Sequence, residues 1–149
     1  MIDAIILQAV VFAGPATAGT AAVVHAQVSA SQIPSRWQRF ARCVSERESH
    51  GNYKARNRSE NSSAMGRWQF LDRQWRRGLS FMVRDRLIEH GTPKAHANSI
   101  QRKLAKTPIQ KWAPWAQDAG FVAVITSDEG LGWRHWSNGG KCDRLAVAR

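Results

Sequence analysis

The sequence WQRFARCVSERESHGNY at residues 37–53 decides the fold that we predict for this chain. Its apolar residues recur at the spacing i, i+3, i+4 and i+7, which is typical of a helix with one face against a core; they are Trp37, Phe40, Ala41 and Val44. Pro34 precedes the segment, and the sequence Ser-His-Gly at 49–51 follows the apolar stripe. These residues mark the start and the end of a helix of about four turns.

This helix carries two glutamates whose surroundings we expect to differ. At about 100° per residue, Glu48 falls within roughly 20° of the apolar stripe, whereas Glu46 falls on the opposite, solvated face. Burial disfavours the charged form of a carboxyl group, so only Glu48 is a candidate for the raised pKa that a general acid near neutral pH requires. The alternatives are that Glu48 frays into solvent at the helix end, or that it pairs with Arg47 or Arg84.

Downstream of the helix, the sequence predicts a small β element and then further helices. Polar residues precede the alternating sequence WQF at 68–70, which is typical of a loop that leads into a short strand or hairpin. Asp72 is expected to cap a helix that runs to about Glu89, and the Thr-Pro pairs at 92–93 and 107–108 predict two more helices. We therefore expect an α+β fold that is mainly α.

The N-terminal segment has a different composition from the rest of the chain. Residues 4–26 carry no charged side chain, and Val-His-Ala at 24–26 is a small-x-Ala type of cleavage site. We interpret residues 1–26 as a secretory signal peptide, residues 27–34 as a short linker and residues 35–149 as one domain. The alternative is an uncleaved membrane anchor, which the modest hydrophobicity of the segment and its glycines disfavour.

Charge and cysteine content narrow the class of protein. The 149 residues have a formal net charge of +11, which becomes +12 if Asp3 is removed with the signal, and such a surface attracts polyanions. A hydrophobic content of 43% argues against a disordered chain.

The two cysteines, Cys43 and Cys142, are expected to form a disulfide in an oxidising compartment, and two free thiols are the alternative. No CxxC sequence occurs and the histidines lack ligand spacing, so we expect no metal and no cofactor.

Two strings in this chain resemble the lysozyme-like superfamily, namely CVSERESHGNY at 43–53 and AMGRWQFL at 64–71, followed by Trp75. They are similar in particular to transglycosylase-like domains of the resuscitation-promoting-factor and soluble lytic transglycosylase type. The resemblance covers residues 35–76 well. It implies a lysozyme-like catalytic domain over 35–149, with Glu48 as the catalytic acid.

The resemblance also implies substrate-binding roles for four residues, which are Ser49, Asn52, Tyr53 and Gln69. The Ser49 hydroxyl would bond the carboxylate or a sugar, and its alternative role is a helix cap. The Gln69 amide would hold an N-acetyl or hydroxyl group through its donor and its acceptor, and its alternative role is to brace the loop. The Tyr53 ring would offer a flat face to a pyranose, whereas we assign Trp68 to the core.

The chain departs from the family pattern at two places. Resuscitation-promoting factors have their cysteine directly before the glutamate, whereas Cys43 lies five residues before Glu48. The Ala-Tyr-Asn element of many lytic transglycosylases is absent, and Trp-Ser-Asn-Gly at 136–139 is at most a faint counterpart. The sequence therefore leaves the far wall of the expected cleft undefined.

The chemistry that the resemblance implies is cleavage of the MurNAc-β-1,4-GlcNAc bond of peptidoglycan. A hydrolase needs a second carboxylate, for which the candidates are Glu60, in a polar loop, and Asp72, at the expected helix cap. Because neither is well placed, we favour a lytic transglycosylase, in which the muramyl 6-hydroxyl closes an anhydro ring. The alternatives are a lysozyme-type muramidase and a non-catalytic cell-wall-binding module.

The expected partners are peptidoglycan and the anionic polymers of cell walls, which suit the basic surface. We expect a secreted, wall-associated monomer without stable membrane insertion after signal cleavage. A nucleic-acid-binding protein is a further alternative, because five arginines lie along the helix that starts near Asp72; they are Arg73, Arg76, Arg77, Arg84 and Arg86. Export argues against a nucleic-acid partner.

Overall fold

The computed structural model describes residues 18–57 and 62–147, which form mostly helices. The α-helices are α1 (Ala18–Ser31), α2 (Gln38–Ser49), α3 (Asp72–Glu89), α4 (Lys94–Lys106), α5 (Pro114–Ile125) and α6 (Lys141–Val147). Two short antiparallel strands, β1 (Ala64–Met65) and β2 (Phe70–Leu71), lie between α2 and α3. Short 3-10 turns at Ser35–Trp37, Ile109–Lys111, Asp128–Gly130 and Gly132–Trp136 complete the described elements. The predicted α+β, mainly α architecture is confirmed.

The β element is a tight hairpin in which Ala64 pairs with Leu71 and Met65 pairs with Phe70. Two residues of its turn have positive φ, Gly66 at 77° and Gln69 at 51°. A β-carbon at Gly66 would lie 2.3 Å from a side-chain oxygen of the buried Gln117 on α5, so only glycine fits this close approach. The hairpin is therefore held directly against α5.

The core forms around α5, and the predicted apolar stripe packs into it. Its first residue, Trp37, lies in the 3-10 turn that precedes α2, so the α-helix begins at Gln38, later than the sequence predicted. Trp37, Phe40, Ala41 and Val44 are all buried. The buried Trp68 ring stacks on Phe121 of α5 with ring centroids 3.7 Å apart, which confirms its assignment to the core.

Two predicted helix starts need correction. Asp72 is the first residue of α3 rather than its cap, and the buried carboxylate accepts a hydrogen bond from the Ile109 backbone N–H at 2.8 Å. The second Thr-Pro pair precedes only the 3-10 turn at 109–111, and α5 begins later, at Pro114. The chain is extended at Trp112, whose indole N–H donates to carbonyls near the end of α4 and so interrupts the helix.

The predicted linker at 27–34 is helical in part, because α1 continues through Ser31. Ala26 and Ala30 are buried, α1 packs against α3 and α5, and the Arg86 Nε donates to the Ala30 carbonyl at 2.9 Å. The predicted cleavage site after Ala26 thus lies within a packed helix, and residues 1–17 of the predicted signal lie outside the described residues. In the described ranges, the helices lack the length and apolar character needed to cross a membrane.

Candidate functional site

Glu48 lies in the last turn of α2, where the chain reverses direction. The helix ends at His50 in the left-handed region, with φ of 51°, and Gly51 follows with φ of 75°. The Glu48 side chain is 25% exposed, whereas the Glu46 side chain is 73% exposed and contacts His50 at 3.0 Å. The predicted difference in exposure between the two glutamates is therefore confirmed.

Arg47 holds the carboxylate of Glu48 in place. Its Nε and Nη2 atoms donate to Glu48 Oε1 at 2.9 and 2.6 Å, which is the ion pair that the sequence left open as an alternative. The same guanidinium donates to the Trp136 carbonyl at 2.7 Å and to Asn138 Oδ1 at 3.1 Å. The guanidinium therefore joins Glu48 to the segment before α6.

A disulfide joins the same two parts of the chain. Cys43 on α2 is bonded to Cys142 on α6, with Cα atoms 5.6 Å apart and a sequence separation of 99 residues. This pairing confirms the prediction from the cysteine count. Cys43 lies one helical turn before Arg47, so the covalent link anchors the C-terminal segment close to the Arg47 contacts.

Asp143 organises the turn that carries the Arg47 acceptors. Its Oδ2 atom accepts hydrogen bonds from Ser137 Oγ at 2.7 Å, from the Gly139 N–H at 2.7 Å and from the Asn138 N–H at 3.2 Å. The bond from Ser137, followed by the backbone bonds, lowers the pKa of Asp143 below its ordinary value. The first residues of α6 thus hold the turn that follows Trp136.

An aromatic cleft lies on the hairpin side of this turn. It encloses about 130 Å³ and is lined by Gln69, Phe70, Leu71, Trp75, His135 and Trp136. Trp136 connects the cleft to the glutamate, because its indole N–H donates to the Trp68 carbonyl at 2.8 Å while its own carbonyl accepts from Arg47. Glu48 and the cleft are therefore linked through one aromatic residue and one arginine.

The predicted binding residues make contacts within the protein. Ser49 Oγ donates to the Arg67 carbonyl at 2.7 Å and so braces α2 against the hairpin. Asn52 is exposed, and its Oδ1 atom accepts from the Lys54 N–H at 2.8 Å. Gln69 Nε2 donates to the Gly66 carbonyl at 2.9 Å, the bracing role that the sequence left open, and Gln69 also lines the cleft. Their roles in substrate binding stay predictions.

Tyr53 belongs to a polar network that sequence reasoning missed. Its hydroxyl donates to Asp118 Oδ2 at 2.7 Å and accepts from Arg67 Nη1 at 2.6 Å. The Trp68 indole donates to Asp118 Oδ1 at 3.0 Å, and the Arg67 Nε donates to Ser45 Oγ at 2.8 Å. The Arg67 guanidinium lies over the Tyr53 and Trp68 rings, 5.1 and 4.7 Å from their centroids, so it covers a tyrosine face expected to bind sugar.

Burial raises the pKa of Asp118, although the Tyr53 hydrogen bond and the charge of Arg67 act in the opposite direction. Asp118 is the only charged residue in the sequence of α5, PWAQDAGFVAVI. This isolated charge in an apolar helix is the sequence signal from which a buried polar network could have been predicted. Because the network ties α2, the hairpin and α5 together, it sets the position of the helix end that carries Glu48.

Among the described residues, the lining of the cleft contains no acidic side chain, and Glu48 itself lies outside that lining. Asp72 is buried and bonds Arg76 and the Ile109 N–H, and Asp118 is engaged by Tyr53 and Trp68. Glu60 lies outside the described residues. No three acidic, histidine or cysteine side chains within 18–57 and 62–147 come together as a metal site.

The site thus consists of one partly buried carboxylate, an arginine that binds it, and an aromatic cleft with an amide at its edge. A carboxyl group can transfer a proton to or from a ligand that reaches it, and an aromatic cleft can bind the apolar face of a ligand. Comparisons of the chain with protein-family models, with curated protein sequences and with solved structures found no match.

Proposed function

We propose that this protein is a peptidoglycan-cleaving enzyme that acts on the MurNAc-β-1,4-GlcNAc bond, with Glu48 as its acid. The observation that carries the proposal is the position of Glu48, 25% exposed at the end of α2 and linked through Trp136 to the aromatic cleft. Aromatic rings and the Gln69 amide suit an N-acetylated sugar, because rings cover the apolar face of a pyranose and an amide pairs with its polar groups. The resemblance of the 43–53 and 64–71 strings to transglycosylase-like domains supports the same activity.

Within this activity, a lytic transglycosylase is favoured over a hydrolase. Glu48 gives its proton to the glycosidic oxygen as the bond from the muramyl C1 to that oxygen breaks. The resulting carboxylate then accepts the proton of the muramyl 6-hydroxyl as O6 bonds to C1, so no water is consumed. The engagement of Asp72 by Arg76 and by the Ile109 N–H supports this route, because a hydrolase needs a second carboxylate that is free to act as nucleophile or base.

The disulfide and the charge of the chain suit this proposal. A disulfide such as that between Cys43 and Cys142 forms and persists in an oxidising compartment outside the cytoplasm. A net charge of +11 attracts the protein to the anionic polymers and peptide carboxylates of a cell wall. We therefore propose a secreted, wall-associated location.

The arginines of α3 give less support to a nucleic-acid partner. Arg76 pairs with Asp72, Arg84 pairs with Asp85, and Arg86 bonds the Ala30 carbonyl. These three guanidinium groups are already engaged by the protein, so they are less available to phosphates.

The ion pair between Arg47 and Glu48 favours one second candidate, a cell-wall-binding module without catalysis. In that case Glu48 serves only to hold Arg47 against Trp136 and Asn138. The two candidates predict different behaviour for the same variant, because a module keeps its function when the carboxyl group becomes an amide.

Glu48→Gln tests the proposal, with Glu89→Gln at an exposed position at the end of α3 as the matched control. We expect Glu48→Gln to lower peptidoglycan cleavage about 10²- to 10⁴-fold, because an amide has no carboxyl proton to donate, while Glu89→Gln retains full activity. Zymography measures cleavage, and mass spectrometry of released muropeptides should find 1,6-anhydromuramic ends. Equal activity of both variants would exclude Glu48 as the acid, and wall binding without any cleavage by the parent protein would favour the binding module.

A further inference from the structure

A second groove adjoins the candidate site and shares Arg47 with it. Its volume is about 550 Å³, and it passes over the disulfide; we call it the disulfide groove. Its lining residues are Arg42, Cys43, Glu46, Arg47, Asn138, Gly140, Lys141, Cys142 and Leu145. Nothing in the function proposed above uses this groove.

The disulfide groove has an excess of positive charge. Arg42 and Lys141 are exposed, and neither makes an ion pair within the part of the chain that the structure describes. The single acidic side chain of the lining, Glu46, contacts His50 at 3.0 Å. The groove therefore suits an anionic group, with the disulfide and Leu145 as apolar contacts beside it.

Arg47 couples the groove to the candidate acid. Two of its nitrogens donate to the same oxygen of Glu48, Oε1, at 2.9 and 2.6 Å. Oε1 cannot carry the acid proton while it accepts both hydrogen bonds, so only Oε2 is left to present a proton to a glycosidic bond, and the ion pair fixes where Oε2 lies. An anion bound in the groove competes with Glu48 for the guanidinium, since a planar guanidinium binds a carboxylate through two parallel bonds.

We propose that the disulfide groove binds a carboxylate of the peptide stem of peptidoglycan and that this binding draws Arg47 away from Glu48. The inference rests on the proposed function, because the stem is attached to the muramic acid of the bond that is cleaved. The stem places a carboxylate and apolar side chains on the same substrate molecule as the scissile bond. Arg47 is then a positioning residue, and Arg42 and Lys141 are binding residues for the stem.

A binding experiment tests the subsite without relying on activity. The full chain carrying Glu48→Gln is titrated with three ligands. The first is a disaccharide that bears a peptide stem, the second is the same disaccharide without the stem, and the third is the stem-bearing disaccharide with its stem carboxylates converted to amides. We expect the ligand with free stem carboxylates to bind about tenfold more tightly than the other two ligands. Each of two exposed ion contacts raises the affinity about threefold, and the two factors multiply. Added salt should reduce the difference.

The double variant Arg42→Ala/Lys141→Ala should abolish this preference. Its matched control is Lys94→Ala/Arg102→Ala, which removes the same charge from exposed positions on α4 and should retain the preference. Melting temperatures of both variants verify that they fold. Equal binding of stem and stem-free ligands by the parent, or an unchanged preference in the groove variant, would overturn the subsite. Displacement of the muropeptide by a phosphate-rich wall polymer at lower concentration would overturn its assignment to the stem.

Cleavage rates test the coupling. The wild-type protein should cleave stem-bearing glycan strands faster than strands from which an amidase has removed the stems. Arg47→Met keeps the aliphatic bulk but not the ion pair, so it should bring the ratio of the two rates close to one by raising cleavage of stem-free strands. An unchanged ratio in Arg47→Met would refute the coupling. If the wild type cleaves neither substrate, the proposed function fails, and the binding titration still decides whether the subsite exists.

Discussion

Replacement of Arg67 by methionine should destabilise the protein, and the loss should be larger at neutral pH than in acid. The guanidinium donates to Ser45 Oγ at 2.8 Å and to the Tyr53 hydroxyl at 2.6 Å, and it lies 3.5 Å from Asp118 Oδ2. The Arg67 and Asp118 side chains are only 23% and 17% exposed, so water replaces few of these contacts. Methionine retains much of the aliphatic volume between the Tyr53 and Trp68 rings but carries no charge.

The size of the effect follows from the contacts that are lost. Each of the two hydrogen bonds from the guanidinium is worth about 1 to 1.5 kcal/mol, and the remaining carboxylate loses its nearest cation. With a discount for the partial exposure of Arg67, we expect the free energy of unfolding to fall by about 3 to 4 kcal/mol at neutral pH. For a chain of this size, the melting temperature should fall by about 10 °C.

The pH dependence of the loss of stability identifies the Asp118 carboxylate as its cause. Burial raises the pKa of Asp118 in the folded protein above the ordinary value of 3.8, and Arg67 opposes that rise. Without Arg67 the folded-state pKa of Asp118 rises further, so the folded variant binds this proton more tightly than the unfolded chain does. The variant is therefore least impaired at a pH below 3.8, and its deficit grows as the pH rises through the folded pKa.

Urea unfolding followed by tryptophan fluorescence at about pH 7 and about pH 3.5 measures both free energies. Arg77→Met, at an exposed position on α3, is the matched control and should have little effect at either pH. Asp118→Asn should recover part of the loss when it is added to Arg67→Met, because it removes the unpaired charge. Equal losses at the two pH values, together with no recovery by Asp118→Asn, would refute this account of the network.

Three shorter predictions address other contacts. Tyr53 is the single tyrosine of the chain, so tyrosinate absorbance reports its titration alone. Burial and the hydrogen bond to the Asp118 carboxylate raise its pKa above 10.0. A titration midpoint in the native protein that is no higher than the midpoint in urea would contradict this hydrogen bond. Alanine in place of both Cys43 and Cys142 should lower the free energy of unfolding by about 3 to 5 kcal/mol, because the disulfide closes a sequence separation of 99 residues; unchanged urea unfolding would argue against the link. Gly66→Ala should lower the free energy of unfolding by about 2 to 3 kcal/mol, because the new β-carbon would lie 2.3 Å from a side-chain oxygen of Gln117 and the residue has a φ of 77°. In the control Gly78→Ala the new β-carbon meets no atom within 4 Å, so this variant should be neutral or stabilising in the same assay.

Local patterns in the sequence predicted much of the framework. The apolar stripe from Trp37 to Val44 and the pairing of the two cysteines follow from residue spacing and count, and the structure confirms both. The alternating sequence at 68–70 predicted a short strand or hairpin; a hairpin is present, but its strands are Ala64–Met65 and Phe70–Leu71, and Trp68 and Gln69 lie in its turn. The helical periodicity also separated Glu48 from Glu46, since the direction of a side chain on a helix depends on its position alone. Helix starts were less predictable, because the second Thr-Pro pair leads only into a 3-10 turn and Trp112 delays α5.

Only the tertiary structure decided which partners the candidate site has. Asp118 is 50 or more residues from Tyr53 and Trp68, and Trp136 is 89 residues from Arg47, so no local pattern relates these side chains. Their contacts depend on the packing of α5 against the hairpin and on the disulfide that brings α6 to α2. The sequence by itself determined the elements and the exposure of one glutamate, because these depend on neighbours within a few residues. The arginine, the cleft and the buried network around that glutamate depend on distant segments, which meet only when the whole chain has packed.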